Sequence, residues 1–256
     1  MAAVETDLAN GVLTVTLADE DNHNALSSRL TTELTEALDD ADADPEVRVV
    51  VLTNRGRVFC AGADLSERSS GGSGSSSKPV DPTRLFGRFR ESPKPYVGRI
   101  AGHCVAGGMG LAAAMDISIA IEEAKFGFTE VRIGVAPAII SVVCLPKIRP
   151  ADAREAFLRG NRFLAPEAAR MGLINAAVPV EELDAAVDAV VADLKAGGPE
   201  AIAAAKQLMA RVPGMPIDEA FQWTGELSAS LFRGEEAAEG MRAYLDKRPP
   251  SWTQWR

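Results

Sequence analysis

Phe59-Cys60-Ala61-Gly62-Ala63-Asp64-Leu65 and Ala106-Gly107-Gly108-Met109-Gly110 decide how this chain reads. Each stretch follows a predicted strand and precedes a predicted helix. Each can therefore aim backbone N–H groups at one oxygen, where they meet negative charge as it develops. Glu130, inside Phe126-Gly127-Phe128-Thr129-Glu130, supplies a carboxylate. Two glycine turns and one carboxylate point to carbonyl-activated proton chemistry on a thioester. One such turn alone reads as simple chain reversal. Two at the carboxyl ends of parallel strands, where ligands of open α/β sheets gather, are more specific.

Outward from these turns, the pattern is that of an α/β protein. Asn10-Gly11 before the alternating Val12–Leu17 predicts an opening hairpin. Leu26, Leu30, Leu34, Ala37, Leu38 and Ala41 keep a helical period, with Ser27 as the expected N-cap and Asp44-Pro45 as the stop. Val47–Thr53, Pro95–Ile100 and Met115–Ile121 read as buried strands, so strands alternate with helices around a mostly parallel sheet. Beyond Val178 the chain turns helical. Leu183, Val187, Val190, Val191 and Leu194 form one stripe, then helices are predicted at about 200–211, 217–232 and 235–246. The expected organisation is a core over 1–195 and a helical subdomain over 196–256 that makes subunit contacts. The Ser/Gly-rich stretch from Glu67 to Pro82 reads as a surface connection, or as a mobile lid over a substrate site.

Bulk properties narrow the function further. The chain has 256 residues, 46% of them apolar, and a net charge of −9. That charge argues against broad nucleic-acid or membrane-surface binding. Cys60, Cys104 and Cys144 show no metal-ligand spacing, and an odd count without a framework suits a reducing cytoplasm. The acidic start carries no signal-peptide pattern, and the apolar run Val135–Leu145 is too short to span a bilayer. A soluble cytoplasmic protein is expected.

Other chemistries fit less well. Gly108-x-Gly110-x-x-Ala113 matches a loose dinucleotide fingerprint, but Met115 begins the next strand too soon for the long crossover of a nucleotide-binding unit. Histidine occurs only at His23 and His103, and His103 beside Cys104 reads as structural. Cys60 and Cys104 read as small buried hydrophobes. Glu122 and Glu123 read as exposed strand-end carboxylates. Glu130 differs, because Phe126, Phe128, Val131, Ile133 and Val135 flank it. Apolar surroundings favour its neutral form and suit it to acid–base work.

At these residues the chain resembles the crotonase family, the enoyl-CoA hydratase/isomerase superfamily, nearly end to end. Asn22-His23-Asn24-Ala25-Leu26 resembles its early coenzyme A segment. Phe59–Leu65 and His103–Gly110 with Asp116 resemble its two oxyanion turns, and Glu239–Arg248 resembles its C-terminal signature. The resemblance implies a crotonase-like spiral of ββα units with a helical C-terminal subdomain. It implies that the N–H groups of Ala63 and Gly107 hold the thioester oxygen and that Glu130 is the acid–base residue. Ala61, Asp64 and Leu65 would border the adenine and pantetheine path, and His23 and Ala25 would line the coenzyme A groove. Tyr244 and Lys247 would approach coenzyme A from the C-terminal helices, often those of a neighbouring subunit. No tightly bound cofactor is implied, since coenzyme A enters as part of the substrate. The implied assembly is a homotrimer or a dimer of trimers.

One departure matters. Hydratases of this family usually carry two catalytic glutamates, and the first falls on Gly110. The expected activity is hydration of a 2,3-unsaturated acyl-CoA with Glu130 alone. The alternatives are an isomerase that shifts the double bond, and a non-catalytic acyl-CoA-binding homologue. Leu85, Phe86, Phe89, Met109, Ile139 and Ile140 are expected to shape the acyl pocket.

Overall fold

Asn10 and Gly11 both adopt positive φ, 51° and 76°. Such a two-residue turn matches the right-handed twist of paired strands. It joins β1 (Val4–Ala9) to β2 (Val12–Leu17) in antiparallel register, with Val4 opposite Leu17. The computed structural model describes residues 2–69 and 81–253. Helix α1 (Ser28–Ala43) starts where Ser27 Oγ accepts the Leu30 N–H at 3.2 Å, and it buries Leu30, Leu34, Leu38 and Ala41.

Thereafter the chain repeats one unit: a strand in a large sheet, a short strand in a small sheet, then helix. The first unit is β3 (Val49–Asn54), β4 (Val58–Cys60), α2 (Leu65–Ser69) and α3 (Pro82–Glu91). The second is β5 (Tyr96–Ile100), β6 (His103–Val105) and α4 (Gly107–Ala114). The third is β7 (Ile117–Ile121), β8 (Lys125–Gly127), a 3₁₀ turn over Glu130–Ile133 and α5 (Ala138–Cys144). Helix α6 (Pro150–Arg159), β9 (Phe163–Leu164), α7 (Ala165–Arg170) and β10 (Ala176–Val178) then close the two sheets. The large sheet runs β1-β2-β3-β5-β7-β10 and is parallel from β2 onward. The small sheet runs β4-β6-β8-β9 and is parallel except for β8–β9. This is the α/β crotonase spiral of ββα units.

All six residues of β3 are buried, as a strand covered on both faces requires. Val50 and Leu52 point into the main core with Phe59, Phe126 and Phe128. Val49 and Val51 point the other way, with Val97 and Ile119, onto Leu183, Val187 and Val191 of α8 (Leu183–Ala196). Beyond α8 lie α9 (Pro199–Arg211), α10 (Ile217–Arg233) and α11 (Glu235–Leu245). Lys206 ties α9 to the core. Its ammonium donates to the Phe89 and Lys94 carbonyls and to Asp116 Oδ2, at 2.9, 2.7 and 2.7 Å. Helix α10 buries none of its residues.

Several boundaries differ from the sequence reading. The strand expected from Met115 begins at Ile117, because Met115 caps α4 and donates its N–H to the Leu111 carbonyl. The strand expected over Val47–Thr53 runs from Val49 to Asn54. Phe59 and Cys60 belong to β4, and β6 precedes the second glycine turn, so the small sheet went unread. Three-residue strands are too short to show periodicity. Glu67, assigned to the start of the Ser/Gly-rich loop, lies in α2. Residues 70–80 of that loop lie outside the described residues. No helix among the described residues is long and apolar enough to cross a membrane.

Candidate active site

The two glycine turns meet back to back. Gly62 sits at φ 89°, and a Cβ there would stand 2.7 Å from Ala106 Cβ and 2.8 Å from the Gly107 nitrogen. Only glycine allows both that backbone conformation and that approach. Gly107 is the first residue of α4, where an amide N–H has no intrahelical acceptor. A Cβ on Gly107 would stand 3.6 Å from the Ala63 nitrogen, so the two amides are close neighbours. Leu26 forms an isolated parallel bridge with Ala63 by donating its N–H to the Gly62 carbonyl at 2.7 Å. Among the described residues the Ala63 N–H donates no backbone hydrogen bond. Ala106, before the second turn, holds φ 49° and ψ −122°. An alanine rarely adopts this conformation, and strain of this kind clusters at functional sites.

Glu130 begins the 3₁₀ turn that follows β8, and β8 pairs with β6, the strand leading into the second glycine turn. The carboxyl group is half-buried. Its Oε2 is buried and accepts no hydrogen bond from the described residues. Burial raises its pKa above the ordinary carboxylate value. The expected apolar surround is only half present. Phe126 and Phe128 are fully buried, but Val131, Ile133 and Val135 are 37%, 57% and 54% exposed. The 3₁₀ turn presents Val131 and Ile133 to the surface, and Val135 follows just beyond it. Cys144 of α5 lies on the inner side instead. Burial pushes its thiol up, Lys147 opposes this and the Glu130 charge adds to it. Cys144 packs on α4, where its Sγ reaches the Met109 carbonyl at 3.7 Å.

Asp64 is engaged locally. Its Oδ1 accepts from the Ser66 N–H at 2.8 Å and Ser66 Oγ at 2.6 Å, and its Oδ2 accepts from Asn22 Nδ2 at 2.9 Å. These hydrogen bonds hold its pKa below the usual carboxylate range. The carboxylate therefore caps α2 and locks the first turn. The Ala61 N–H donates to the His23 carbonyl at 3.2 Å, which brings Ala61, Asp64 and His23 together with Ala63. Ala25 is buried, while His23 and Leu65 are exposed.

The C-terminal candidates lie apart from this cluster. Tyr244 is 84% exposed at the end of α11, and Lys247 is exposed in the turn beyond it. Hydrogen bonds tie α11 and the residues after it to α9 and to Arg48 at the start of β3, through Glu236 to Glu200 and Ala201 and through the Trp252 carbonyl.

The nucleophile alternatives weaken further. Cys60 is fully buried, and burial pushes its thiol up to about 12. A thiol so raised is inert at neutral pH. His103 Nδ1 accepts the Lys125 N–H at 3.1 Å, which gives this histidine a structural bond. Among the described residues no cluster of His, Cys, Asp and Glu could hold a metal ion.

Comparison with known proteins shows the family. The family description "Enoyl-CoA hydratase/isomerase" matches residues 7–255. The chain belongs to the enoyl-CoA hydratase/isomerase family. A Thermus thermophilus protein named "Putative enoyl-CoA hydratase" is 37% identical over 93% of this chain and 96% of its own length. Enoyl-CoA hydratase EchA19 of Mycobacterium tuberculosis is 33% identical over 94% of this chain and 92% of its own. The crystal structure of an enoyl-CoA hydratase from Mycobacterium smegmatis superposes with a TM-score of 0.88 at 29% identity, covering 98% of this chain and 99% of that one. The family acts on acyl-CoA substrates, typically without a bound cofactor.

Within this family member, position 110 is closed to a side chain. A Cβ on Gly110 would stand 2.4 Å from Ile140 Cγ2 and 2.8 Å from Phe86 Cε1. Phe86 and Ile140 are buried, as are Leu85, Phe89 and Met109. Ile139, expected in the same pocket, is 40% exposed, because it lies on the outer face of α5. The side chains described nearest position 110 are therefore apolar.

Proposed function

We propose that the protein is an enoyl-CoA hydratase-type lyase that adds water across the C2–C3 double bond of an acyl-CoA thioester. The N–H groups of Ala63 and Gly107 polarise the thioester oxygen and stabilise the enolate. Glu130 transfers the proton. The observation that carries this reading is the contact of the two glycine turns, which brings the Ala63 and Gly107 amides close together; among the described residues neither N–H donates a backbone hydrogen bond. A raised carboxylate pKa fits general acid–base work near neutral pH. His23, Ala25, Ala61, Asp64 and Leu65 form the path for the coenzyme A moiety, with Asp64 acting through the turn it caps.

A trimer, or a dimer of trimers, accounts for the C-terminal surface. Ile217, Phe221 and Phe232 of α10 and Leu245 of α11 are 71%, 72%, 68% and 78% exposed. Apolar surface of that kind marks an interaction site. Tyr244 and Lys247 would then reach the coenzyme A of a neighbouring subunit.

The packing of Ile140 and Phe86 against Gly110 favours a second reading, a double-bond isomerase, because no second carboxylate can orient water there. Turnover of a panel of enoyl-CoA substrates in heavy-oxygen water separates the two. Labelled 3-hydroxyacyl-CoA supports the hydratase. A shifted double bond without label supports the isomerase. Binding without either product would overturn both in favour of the non-catalytic homologue.

A further inference from the structure

Leu26 touches both halves of the paired-amide site. Its backbone is bound to the first turn through the 2.7 Å bond from its N–H to the Gly62 carbonyl, beside the bridge to Ala63. Its side chain lies against the second turn. Leu26 Cδ1 is 2.9 Å from the point where a Cβ on Gly107 would stand, nearer than any other described heavy atom outside Gly107, its chain neighbours and the backbone of the first turn of α4. From that same point, Gly62 Cα is 3.2 Å and the Ala63 nitrogen 3.6 Å away. One residue thus spans the two turns.

The segment that carries Leu26 is itself held. Just before it, Asn24 is fully buried at φ 51°, and its Nδ2 donates to the Val58 and Arg55 carbonyls at 2.7 and 3.2 Å. Asn22 and His23 bond to Asp64 and Ala61 of the first turn. Just after it, Ser27 caps α1. The Leu26 side chain packs on the main core and is only partly exposed. A backbone anchored at so many points makes its side chain a strut. The first turn and Leu26 are tied together by these bonds, and the leucine methyl lies against the face of Gly107 where a side chain would stand.

We propose that Leu26 is a positioning residue, a strut that fixes the separation between the Ala63 and Gly107 N–H donors. The inference rests on the proposed role of those two amides. Hydrogen bonds weaken steeply with distance and angle, so donors must be preorganised to serve a developing oxyanion. Removing one such donor costs about 10²–10³-fold in turnover. Loosening one costs less, about tenfold.

The test uses Leu26→Ala, Leu26→Met and Gly107→Ala in the full chain, with the double variant Leu26→Ala/Gly107→Ala. Two readouts are taken. One is kcat and KM on an enoyl-CoA that the wild type turns over. The other is the infrared carbonyl stretch of butanoyl-CoA, isotopically labelled at the thioester carbon and bound to the protein, which needs no turnover. Wild type should lower that stretch relative to free ligand. Leu26→Ala should lose part of the lowering and about tenfold in kcat, with KM nearly unchanged. Leu26→Met, close in volume, should restore both. In the Gly107→Ala background, where the new Cβ meets Leu26 first, Leu26→Ala should raise kcat, the reverse of its effect alone. A folded Leu26→Ala variant with normal kcat and carbonyl stretch overturns the inference. So does a rise in KM alone, which would make Leu26 an acyl-chain contact. So does a fall in kcat that Leu26→Met fails to restore. If the wild type binds butanoyl-CoA without lowering the stretch, the two-amide reading fails, and the inference with it.

Discussion

Gly107→Val probes the site where structure gives the clearest magnitude. A Cβ at position 107 stands 2.9 Å from Leu26 Cδ1 and 3.2 Å from Gly62 Cα. Carbon atoms normally pack at about 3.5–4.0 Å, so the overlap is roughly half an ångström or more before valine's two further carbons are counted. The leucine methyl sits on an anchored segment, and Gly62 Cα is backbone, held at φ 89° by its own turn. The second turn must therefore retreat from the first. A donor at an ordinary hydrogen-bond length of about 2.9 Å would then stand near 3.5 Å, where little of the bond survives. That amounts to losing one of two donors, about 10²-fold or more in kcat, or roughly 3 kcal/mol of transition-state stabilisation. Steady-state kinetics on an enoyl-CoA substrate measures the loss, with circular dichroism to show that the variant is folded. A folded Gly107→Val protein with wild-type kcat would refute the assignment of this amide.

Three further outcomes are expected. Glu130→Gln should lose about 10²–10⁴-fold in turnover and still bind acyl-CoA, since the coenzyme A path lies elsewhere; full activity on a substrate of the wild type refutes the mechanism. Burial raises the Glu130 pKa in the folded protein, so the native state holds the proton more tightly than the unfolded chain. Wild-type stability is lost relative to Glu130→Gln as pH rises from the ordinary carboxylate value through the raised one, and denaturation at acid and neutral pH should show the gap widening upward. Lys206→Met removes a cation that is 5% exposed from Asp116 and two carbonyls, and should destabilise the fold by about 3–5 kcal/mol in urea denaturation; a change within error would mean that α9 is held by apolar packing alone. Sedimentation should find a trimer or hexamer, and Phe221→Asp with Phe232→Asp should dissociate it; a stable wild-type monomer at micromolar concentration would sink the assembly.

Features decided by neighbours in sequence were legible before any coordinates. Asn10-Gly11 specified its hairpin because two adjacent residues had to accept positive φ. Ser27 specified the start of α1, and the stripe Leu183, Val187 and Val191 specified the buried face of α8, because caps and helical periods are written within one or two turns of chain. The motif resemblance singled out the two glycine turns and Glu130.

Tertiary structure alone decided the rest, because the partners are distant in sequence and the chemistry between them is ordinary. Three-residue strands β4, β6 and β8 acquire a sheet only from one another. Lys206 and Asp116, 90 residues apart, carry no pattern that pairs them. Val131 and Ile133 are apolar in sequence, yet they face outward, because a 3₁₀ turn rather than a strand carries them, and Val135 just beyond that turn is exposed too. Gly110 reads as a missing carboxylate in the sequence. In space it is a contact, filled by Ile140 from α5 and Phe86 from α3, so a side chain cannot enter without moving both. Leu26 likewise reads as one more apolar residue at the start of a helical period. Only the approach of two turns, permitted by the absence of a Cβ at Gly62 and Gly107, gives its methyl group something to hold apart.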